Sequence, residues 1–417
     1  MPPRPLAALF IDCDSFYASV EQHLDPRLRG RPVGVAPVLV DSSSCIAASH
    51  EAKRHGVKTG TPIREARVMC PGIVIVEAKP PVYIQYHHQV IAAVEDCIHV
   101  EAVLSIDEMW AWLPYNLREP ATVETIGRRI KDTVMRDVSP FIKVSVGAGP
   151  NKYLAKLASK MRKPDGLFTI REDMLPGILH ELRLRDLTGI ARAMEARLHA
   201  AGIHTVEALC AARKEALHAV WGGVLGDRLW HLLRGDEIPD LVSARKSIGH
   251  THVLPPAERQ PDRAWPVICK LLHKACERLR SHGMLAGSLV MQVSYQRGPK
   301  WSAETRLPES DGTVFFMRKL ERLWADRPDP RATLIQVGVV LGKLVEKGNY
   351  TPELFSDAIA GVMAAADEKQ SRLDETLDAL RRRYGRRVIY YGNVHDSRDS
   401  APLRISFTHI PDVEVEG

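Results

Sequence analysis

The sequence lacks any uninterrupted apolar run of about 18 residues and any C-x-x-C pair. Without the long apolar run we expect no membrane-spanning helix, and Pro2, Pro3 and Pro5 interrupt the pattern of a secretion signal. The seven cysteines are an odd number without metal-type spacing, which argues against a disulfide framework and a zinc site. We therefore expect a soluble cytoplasmic protein with reduced cysteines and no membrane partner.

Length and charge indicate several domains, one of them basic. The chain has 417 residues, of which 45% are hydrophobic, enough for more than one core. Residues 241–350 carry 18 Lys and Arg against 10 Asp and Glu, whereas the rest has two more acidic than basic residues. This segregation favours a module that binds a polyanion, with a basic solvated surface as the alternative.

Hydrophobic periodicity divides the first part of the chain. An apolar strand is predicted at 7–11 and ends in acidic residues. Residues 31–78 have the pattern of a small insert, with a helix at 47–55 closed by Gly56. Further predicted elements are a helix at 83–98, a strand pair within 100–112, and a helix at 152–162 capped by Asn151.

The second part changes character twice. Residues 168–236 read as short amphipathic helices, and 237–245 as a linker that contains Pro239. From 246 to 347 the predicted order is strand, helix, strand, strand, helix, strand, which suits a small α+β sandwich. In the remainder, 348–417, the pattern predicts a helix at 370–383 and an apolar strand at 388–391.

An acidic cluster is the strongest chemical signal. Asp12 and Asp14 alternate on a strand and can share a face, and Asp107 and Glu108 can converge with them only at a hairpin tip or bulge. A carboxylate pair about 4 Å apart costs roughly 4 kcal/mol unless it is neutralised. Oxygen ligands without His or Cys indicate Mg²⁺ and nucleotide chemistry, although the D-x-D pattern alone also fits a turn or a cap.

These residues belong to a series of motifs that resembles the Y-family translesion DNA polymerases, the group of bacterial polymerase IV and the polymerase V subunit UmuC. The resemblance spans nearly the whole chain, with the motifs in the family's order. They are FIDCDSFYASVE at 10–21, EAKRHGVKTGTPI at 51–63, SIDE at 105–108, GAGPNKYLAKLAS at 147–159, KPDG at 163–166 and RKSIG at 245–249.

The resemblance implies an α/β multidomain fold shaped as a right-hand polymerase. Its parts are an α+β palm, small fingers, an all-α thumb with a helix-hairpin-helix, and an α+β little finger. The implied bounds are palm 1–30 and 79–167, fingers 31–78, thumb 168–236, linker 237–245, little finger 246–347, and a C-terminal tail 348–417.

The resemblance also implies the catalytic centre. Asp12, Asp107 and Glu108 match the family's metal-binding carboxylates, and the backbone carbonyl of Cys13 would complete the second ion's shell. Two Mg²⁺ ions, with Mn²⁺ as a substitute, would activate the primer 3′-oxygen and stabilise the leaving pyrophosphate. By this mapping Asp14 is no principal ligand and serves as a turn or hydrogen-bonding residue.

Five residues are implied to bind the nucleotide. Tyr17 matches a steric gate that leaves no room for a 2′-hydroxyl, supported by Phe16; the alternative is a pair of core aromatics. His50 and Lys53 stand where many members carry Tyr and Arg, so the bidentate fork of Arg is missing. Lys163 matches the lysine that reaches the triphosphate. For Lys152, Lys156 and Lys160, nucleotide binding and a solvated helix face remain open.

DNA contacts are implied in two segments. In the thumb, Gly189 and Ala191 fall in a helix-hairpin-helix turn, where Ala191 replaces a usual glycine and would be penalised if that position required a positive φ. In the little finger the implied phosphate-binding residues are Arg245, Lys246, Ser247, Gly249, Arg297 and Lys300. Such contacts hold the backbone without reading sequence.

The tail suggests protein partners. Leu354 and Phe355 lie in a degenerate match to a sliding-clamp peptide, and an anchor onto the chain's own domain is the alternative. The resemblance predicts low-fidelity, template-directed synthesis past damage without proofreading in a bacterial cytoplasm. Its substrates would be primer-template DNA and deoxynucleoside triphosphates, and a recombinase or UmuD-like subunits could assist. Two other hypotheses stay open: a non-catalytic adaptor that binds DNA and the clamp, and a nucleotide cyclase.

Overall fold

The computed structural model describes residues 5–41, 43–241, 245–349, 358–385, 388–397 and 400; of residues 349 and 358–368 it describes the backbone only. Those up to Asp240 form one compact unit and those from Leu241 onward form a second. The division falls inside the segment predicted as a linker. No helix in this described part combines the length and apolar content needed to cross a bilayer.

The first unit is built on a five-stranded sheet. The central strand, β1, pairs antiparallel with β6 on one side and β7 on the other, and β7 runs parallel to β8. All six residues of β1 are buried, as its apolar sequence predicts. The sheet order is β5-β6-β1-β7-β8, with β1 Ala8–Cys13, β5 Ala102–Val103, β6 Glu108–Trp112, β7 Val144–Gly149 and β8 Leu167–Thr169.

Helices cover both faces of this sheet. Helix α6 (Lys152–Met161) begins at Asn151, whose side chain accepts a hydrogen bond from the Leu154 amide at 2.9 Å, which confirms the predicted cap. The helix lies so close to β7 that a Cβ on Gly147 would stand 2.1 Å from the Ser159 amide nitrogen. The other helices of this region are α1 Phe16–Leu24, α4 Pro80–Glu95 and α5 Pro120–Asp137.

The insert at 31–78 has a small sheet of its own. Strand β2 (Val33–Ala36) pairs with β3 (Ala47–Ala48) and with β4 (Val74–Glu77), beside helices α2 (His50–Arg54) and α3 (Ile63–Met69). The helix predicted at 47–55 is therefore too long at its start. The two alanines pair with β2 instead, and Ser49 caps the helix by accepting from the Ala52 amide.

Short helices follow after β8, as predicted. They are α7 Arg192–Ala200, α8 Val206–Ala211, α9 Lys214–Trp221 and α10 Val224–Leu232, and their apolar faces share one core. In the turn before α7, Gly189 has a φ of +91°. Ala191 has a φ of −94°, so replacing glycine there carries no backbone penalty.

The second unit is a four-stranded antiparallel sheet in the order β11-β10-β12-β9. Its apolar face packs with residues of two helices into one core. The sequence of elements confirms the predicted strand, helix, strand, strand, helix, strand. Their bounds are β9 Ser247–Val253, α11 Pro261–Ser281, β10 Met284–Tyr295, β11 Lys300–Ser310, α12 Thr313–Ala325 and β12 Leu334–Glu346.

The C-terminal helix is attached to this unit by charged groups. Arg280 of α11, with only 5% of its side chain exposed, bonds Asp378 through Nε at 2.7 Å and lies 3.6 Å from Asp374. Both acids belong to α13 (Ala358–Tyr384), which starts 12 residues before the predicted position 370. An alanine-rich segment, favourable to helices, accounts for the extension.

The prediction of a strand at 388–391 is wrong. This segment pairs with no strand among the described residues, and it contacts side chains of neighbouring elements instead. The Ile389 carbonyl accepts from Arg381 Nε at 3.0 Å, the Tyr391 hydroxyl bonds Asp374 Oδ1 at 2.5 Å, and the Tyr391 ring lies 4.8 Å from that of His273. Side-chain contacts to α11 and α13 thus override the strand propensity.

We predict that acid destabilises the second unit through His273. Burial, with the charges of Arg381 and Arg280, lowers the pKa of His273 to about 3, and its Nε2 is buried without a hydrogen-bond partner in the described structure. Between about pH 6.5 and pH 3 the unfolded chain therefore binds more protons, so stability falls as the pH falls.

His273→Phe should weaken that dependence while keeping the ring against Tyr391. Urea unfolding at pH 7 and pH 5 measures it: the free energy of unfolding should drop less for the variant than for the native protein. His282→Phe, at an exposed histidine, is the matched control. Equal drops in the native protein and His273→Phe would contradict the prediction.

Candidate active site

Asp12 and Glu108 face each other across neighbouring strands. Their Cα atoms are register partners in the antiparallel pair of β1 and β6, so both side chains project from one face of the sheet. Phe10 and Trp110, two residues further from the acids, are also partners and pack with Ala155 of α6. The acids therefore lie on the face that α6 covers.

Asp107 lies at the tip of the β5–β6 hairpin and is fixed there by hydrogen bonds. Its carboxylate accepts from the Ser105 hydroxyl at 2.6 Å, and its backbone carbonyl accepts from the Cys13 amide at 2.8 Å. The neighbouring Ile106 carbonyl lies 2.8 Å from Nδ1 of His87. Burial lowers the pKa of His87 to about 4, so the ring is neutral at pH 7 and donates this bond from Nδ1.

The three predicted metal ligands are close enough to repel one another. Burial raises the pKa of Asp12 to about 6; Lys163 opposes the rise, and Asp107 and Glu108 add to it. Burial also raises the pKa of Asp107, again with a contribution from Glu108. Crowded, buried acids of this kind require cations if they are to be ionised together.

Two lysines supply positive charge to this cluster. Lys156 of α6 donates to Glu108 Oε2 at 2.8 Å, and Lys163 donates to Asp12 Oδ1. Lys152, in contrast, pairs with Asp240. Lys160 is the most exposed of the three lysines on α6, although burial and the charge of Lys156 lower its pKa while Glu108 and Asp12 oppose this.

Asp14 is a buried hydrogen-bonding residue. Its Oδ2 accepts from the Ser145 hydroxyl at 2.8 Å and from the Asp165 amide at 2.7 Å. Its Oδ1 lies 3.4 Å from the Lys163 ammonium and has no hydrogen bond in the described structure. The side chain is fully buried and hydrogen-bonded, one of the two roles, turn or hydrogen-bonding residue, expected for it from the sequence.

Tyr17 lies half-buried beside the acids on α1. Its ring stacks on that of Tyr83, with centroids 4.6 Å apart, and the Tyr83 hydroxyl donates to Glu21 at 2.8 Å. Burial, and then the charge of Asp107, raises the pKa of Tyr17. Phe16 is 3% exposed and its ring centroid is 6.0 Å from that of Tyr17, so it can support the tyrosine from the core.

The insert brings two further residues towards the cluster. Lys53 donates to the Ser15 hydroxyl at 2.8 Å, and burial and the charge of Lys163 lower the pKa of Lys53, while Asp14 and Asp12 oppose this. The Nε2 atom of His50 is buried without a hydrogen-bond partner in the described structure. Burial and Lys53 lower the pKa of His50.

The donor set suits a hard divalent cation, since Asp12, Asp107 and Glu108 offer only carboxylate oxygens. In the part of the chain that the structure describes, no three His, Cys, Asp or Glu side chains are already arranged to hold a metal ion. Two of the three acids contact lysines instead. An ion bound here would have to displace those contacts.

The predicted DNA-binding residues of the thumb segment lie on its surface. Gly189 and Ala191 are exposed in the turn before α7. A Cβ on Gly189 would meet nothing within 4 Å, so its glycine is required by the positive φ alone. The turn therefore presents backbone groups to solvent, as a phosphate contact would need.

In the second unit the predicted residues divide into two groups. Ser247 and Gly249 lie on β9, on the face away from the core, next to the exposed Arg245 and Lys246. These four residues form the first group. The second group lies at the opposite end of the sheet: Lys300 pairs with Ser294 on β10 and projects from the same face, and Arg297 lies in the exposed turn before β11.

Arg306 was missed by sequence reasoning. It lies nearer to Ser247 than Lys300 does. The register runs across the sheet from Ser247 to Gly342, Ser288 and Arg306, so Ser247 and Arg306 share one row of the open face. The signal in the sequence was the alternation along β11, which places Lys300, Glu304 and Arg306 on one face.

Glu21, Tyr83 and His87 were also missed. They support Tyr17 and the hairpin tip rather than the reacting groups, and the sequence shows them only as polar residues on helical faces. The predicted clamp residues, Leu354 and Phe355, lie outside the described residues.

Comparison with known proteins identifies the family. The model of the impB/mucB/samB family matches residues 11–160, and that of its C-terminal domain matches 245–354. DNA polymerase IV of Moorella thermoacetica is 35% identical over 396 residues, covering 92% of this chain and 94% of the relative. DNA polymerase IV 1 of Bacillus subtilis is 27% identical over 423 residues, covering 98% and 97%.

Solved structures agree in fold. A Y-family DNA polymerase chimera of Dbh and Dpo4 matches with a TM-score of 0.67 and 24% identity, covering 81% of this chain and 99% of that one. An insertion ternary complex of Dbh DNA polymerase matches with a TM-score of 0.54 and 23% identity over the same shares. A non-catalytic adaptor is not favoured, because the curated relatives are named as polymerases. The chain therefore belongs to the impB/mucB/samB family and is a Y-family translesion DNA polymerase.

Proposed function

We propose that this polymerase adds deoxynucleotides to a primer 3′-end opposite damaged template, with Asp12, Asp107 and Glu108 as the residues that hold two divalent ions. The observation that supports this most strongly is the placement of Asp12 opposite Glu108 on adjacent strands, with Asp107 at the adjoining hairpin tip. Mg²⁺, or Mn²⁺ in its place, would activate the attacking oxygen and neutralise the developing charge. The Cys13 backbone carbonyl is assigned as a further ligand.

Lysines would bind the triphosphate. Burial and the charge of Lys163 lower the pKa of Lys53, and both lysines interact with Asp12 and Asp14, so a polyanion bound to both would relieve their repulsion. His50 stands one turn from Lys53 on α2, with a buried ring nitrogen that could donate to phosphate once a partner is present. The nucleotide would thus be held by point charges rather than by an arginine fork.

Domain roles follow the sequence bounds given above. We assign the palm to 1–30 and 79–167, the fingers to 31–78, the thumb to 168–236 and the little finger to 246–347. Phosphate contacts are assigned to the Gly189–Ala191 turn and to Arg245, Lys246, Ser247, Gly249, Arg297 and Lys300. Gly189, Ala191 and all of the named residues of the second unit except the half-buried Gly249 are exposed, which supports the assignment, and the template would supply the sequence information. The bacterial relatives support a cytoplasmic site of action.

Removing the carboxylates tests the mechanism. Asp107→Ala combined with Glu108→Ala should abolish primer extension with Mg²⁺, a loss of at least about 1000-fold in rate, because the developing charge is no longer neutralised. Single-nucleotide extension of a labelled primer measures it. Glu101→Ala, an exposed acid before the same hairpin, is the control and should keep full activity. Synthesis retained by the double variant would overturn the mechanism.

Tyr17 is expected to select against ribonucleotides. Tyr17→Ala should increase ribonucleotide incorporation relative to deoxynucleotide by roughly tenfold or more, since the stacked ring would no longer fill the space beneath the sugar. Tyr17→Phe keeps the ring and should discriminate like the native enzyme. The ratio of kcat/KM values for the two nucleotides is the measurement, and an unchanged ratio in Tyr17→Ala would exclude the gate.

A sliding clamp is the proposed protein partner, bound through Leu354 and Phe355. Replacing both by alanine should remove the stimulation of synthesis by a bacterial clamp while leaving distributive synthesis unchanged. Primer extension on a long template, with and without loaded clamp, distinguishes the two activities. Equal stimulation of the variant and the native enzyme would count against this partner. We also propose a recombinase or UmuD-like subunits as accessory protein partners.

A further inference from the structure

Lys163 contacts two acids that have different roles. Its ammonium donates to Asp12 Oδ1, a carboxylate assigned to the metal ions, and lies 3.4 Å from Asp14 Oδ1, a carboxylate assigned to none. About a third of the Lys163 side chain remains exposed, whereas both acids are buried. The Lys163 ammonium can therefore move while the carboxylates of Asp12 and Asp14 stay in place.

Asp14 is held in place by two hydrogen bonds to one of its carboxylate oxygens. The Ser145 hydroxyl and the Asp165 amide both donate to its Oδ2, and Ser145 also accepts from the Gly166 amide at 3.1 Å. These bonds tie the end of β1 to the 163–166 turn that carries Lys163. Because Asp14 Oδ1 has no hydrogen bond in the described structure, the Lys163 ammonium 3.4 Å away is the group positioned to neutralise it.

We propose that Lys163 competes with a divalent ion for Asp12, and that Asp14 retains the displaced ammonium beside the site, where it binds the triphosphate. Asp14 is then a positioning residue that acts through Lys163. The inference rests on the proposed function, since it takes Asp12 as a metal ligand and Lys163 as a triphosphate contact.

The charges favour such an exchange. A divalent ion and an ammonium group cannot share one carboxylate oxygen, and the ion, with twice the charge, repels the lysine as it binds. Asp14, whose charge is buried, offers the ammonium an alternative partner without a rearrangement of the backbone. Lys53 carries a like charge close enough to interact with that of Lys163, so the two ammonium groups repel each other.

The competition is tested by Mn²⁺ binding to the full-length protein without DNA or nucleotide, measured by electron paramagnetic resonance. Lys163→Met should bind Mn²⁺ about tenfold more tightly than the native protein, the size expected when a charge-assisted contact no longer has to be displaced. Lys163→Arg should restore native affinity. Lys131→Met is the matched control, because it removes a charge that pairs with Asp165 instead. Equal or weaker Mn²⁺ binding by Lys163→Met would overturn the competition.

The role of Asp14 is tested by nucleotide affinity on a primer with a dideoxy end. Asp14→Asn keeps the shape and the hydrogen-bond acceptor, and should weaken nucleotide binding about tenfold. In a Lys163→Met background the same change should have no effect, which a double-mutant cycle reveals. An equal loss in both backgrounds would show that Asp14 acts through the fold alone.

A second variant keeps this test decisive if Asp14→Asn unfolds. Ser145→Ala removes one hydrogen bond to the Asp14 carboxylate while keeping its charge, and should give a smaller loss of nucleotide affinity that again requires Lys163. The same loss of affinity in a Lys163→Met background would overturn the positioning role of Asp14. The outcomes are separable from those of the proposed function. Synthesis retained after loss of Asp107 and Glu108 would refute the catalytic assignment, whereas Mn²⁺ affinity reports on the exchange without any catalysis.

Discussion

The arrangement of charged groups in the first unit depends on the mutual repulsion of the carboxylates at the end of β1. Asp12, Asp107 and Glu108 are drawn together by strand register and a hairpin tip, in surroundings that raise the pKa of Asp12 to about 6. A pair of such charges about 4 Å apart costs roughly 4 kcal/mol at an effective dielectric near 20. Lysines that contact Asp12 and Glu108 offset part of this repulsion.

The glycines of β7 make that compensation available. Without a side chain on Gly147, α6 can approach the sheet closely, and Lys156 then reaches Glu108. The helix ends shortly before the turn that carries Lys163, whose ammonium meets Asp12. The close packing of α6 on β7 is therefore what positions the lysines near the acids. A bulkier residue in β7 would displace the helix and move its positive charges away.

The second unit shows the opposite use of charge. Arg280, Asp374 and Asp378 are buried and paired, and they fix α13 to α11. Removing one partner of such a buried set typically costs about 3–5 kcal/mol, although its net contribution relative to apolar packing is smaller. Charge in this unit thus selects where the C-terminal helix docks, whereas basic residues such as Lys300 and Arg306 lie exposed on the open face of the sheet.

The sequence alone determined the family, the order of the elements between residues 246 and 347 and the Asn151 cap, because motifs, periodicity and caps act over short stretches. Tertiary structure decided what depends on distant partners. The contacts of Lys163 with Asp12 and Asp14, the support of Tyr17 by Tyr83, and the sharing of a row by Ser247 and Arg306 arise from register and packing. The strand predicted at 388–391 failed for the same reason: side-chain contacts formed by folding outweigh local propensity.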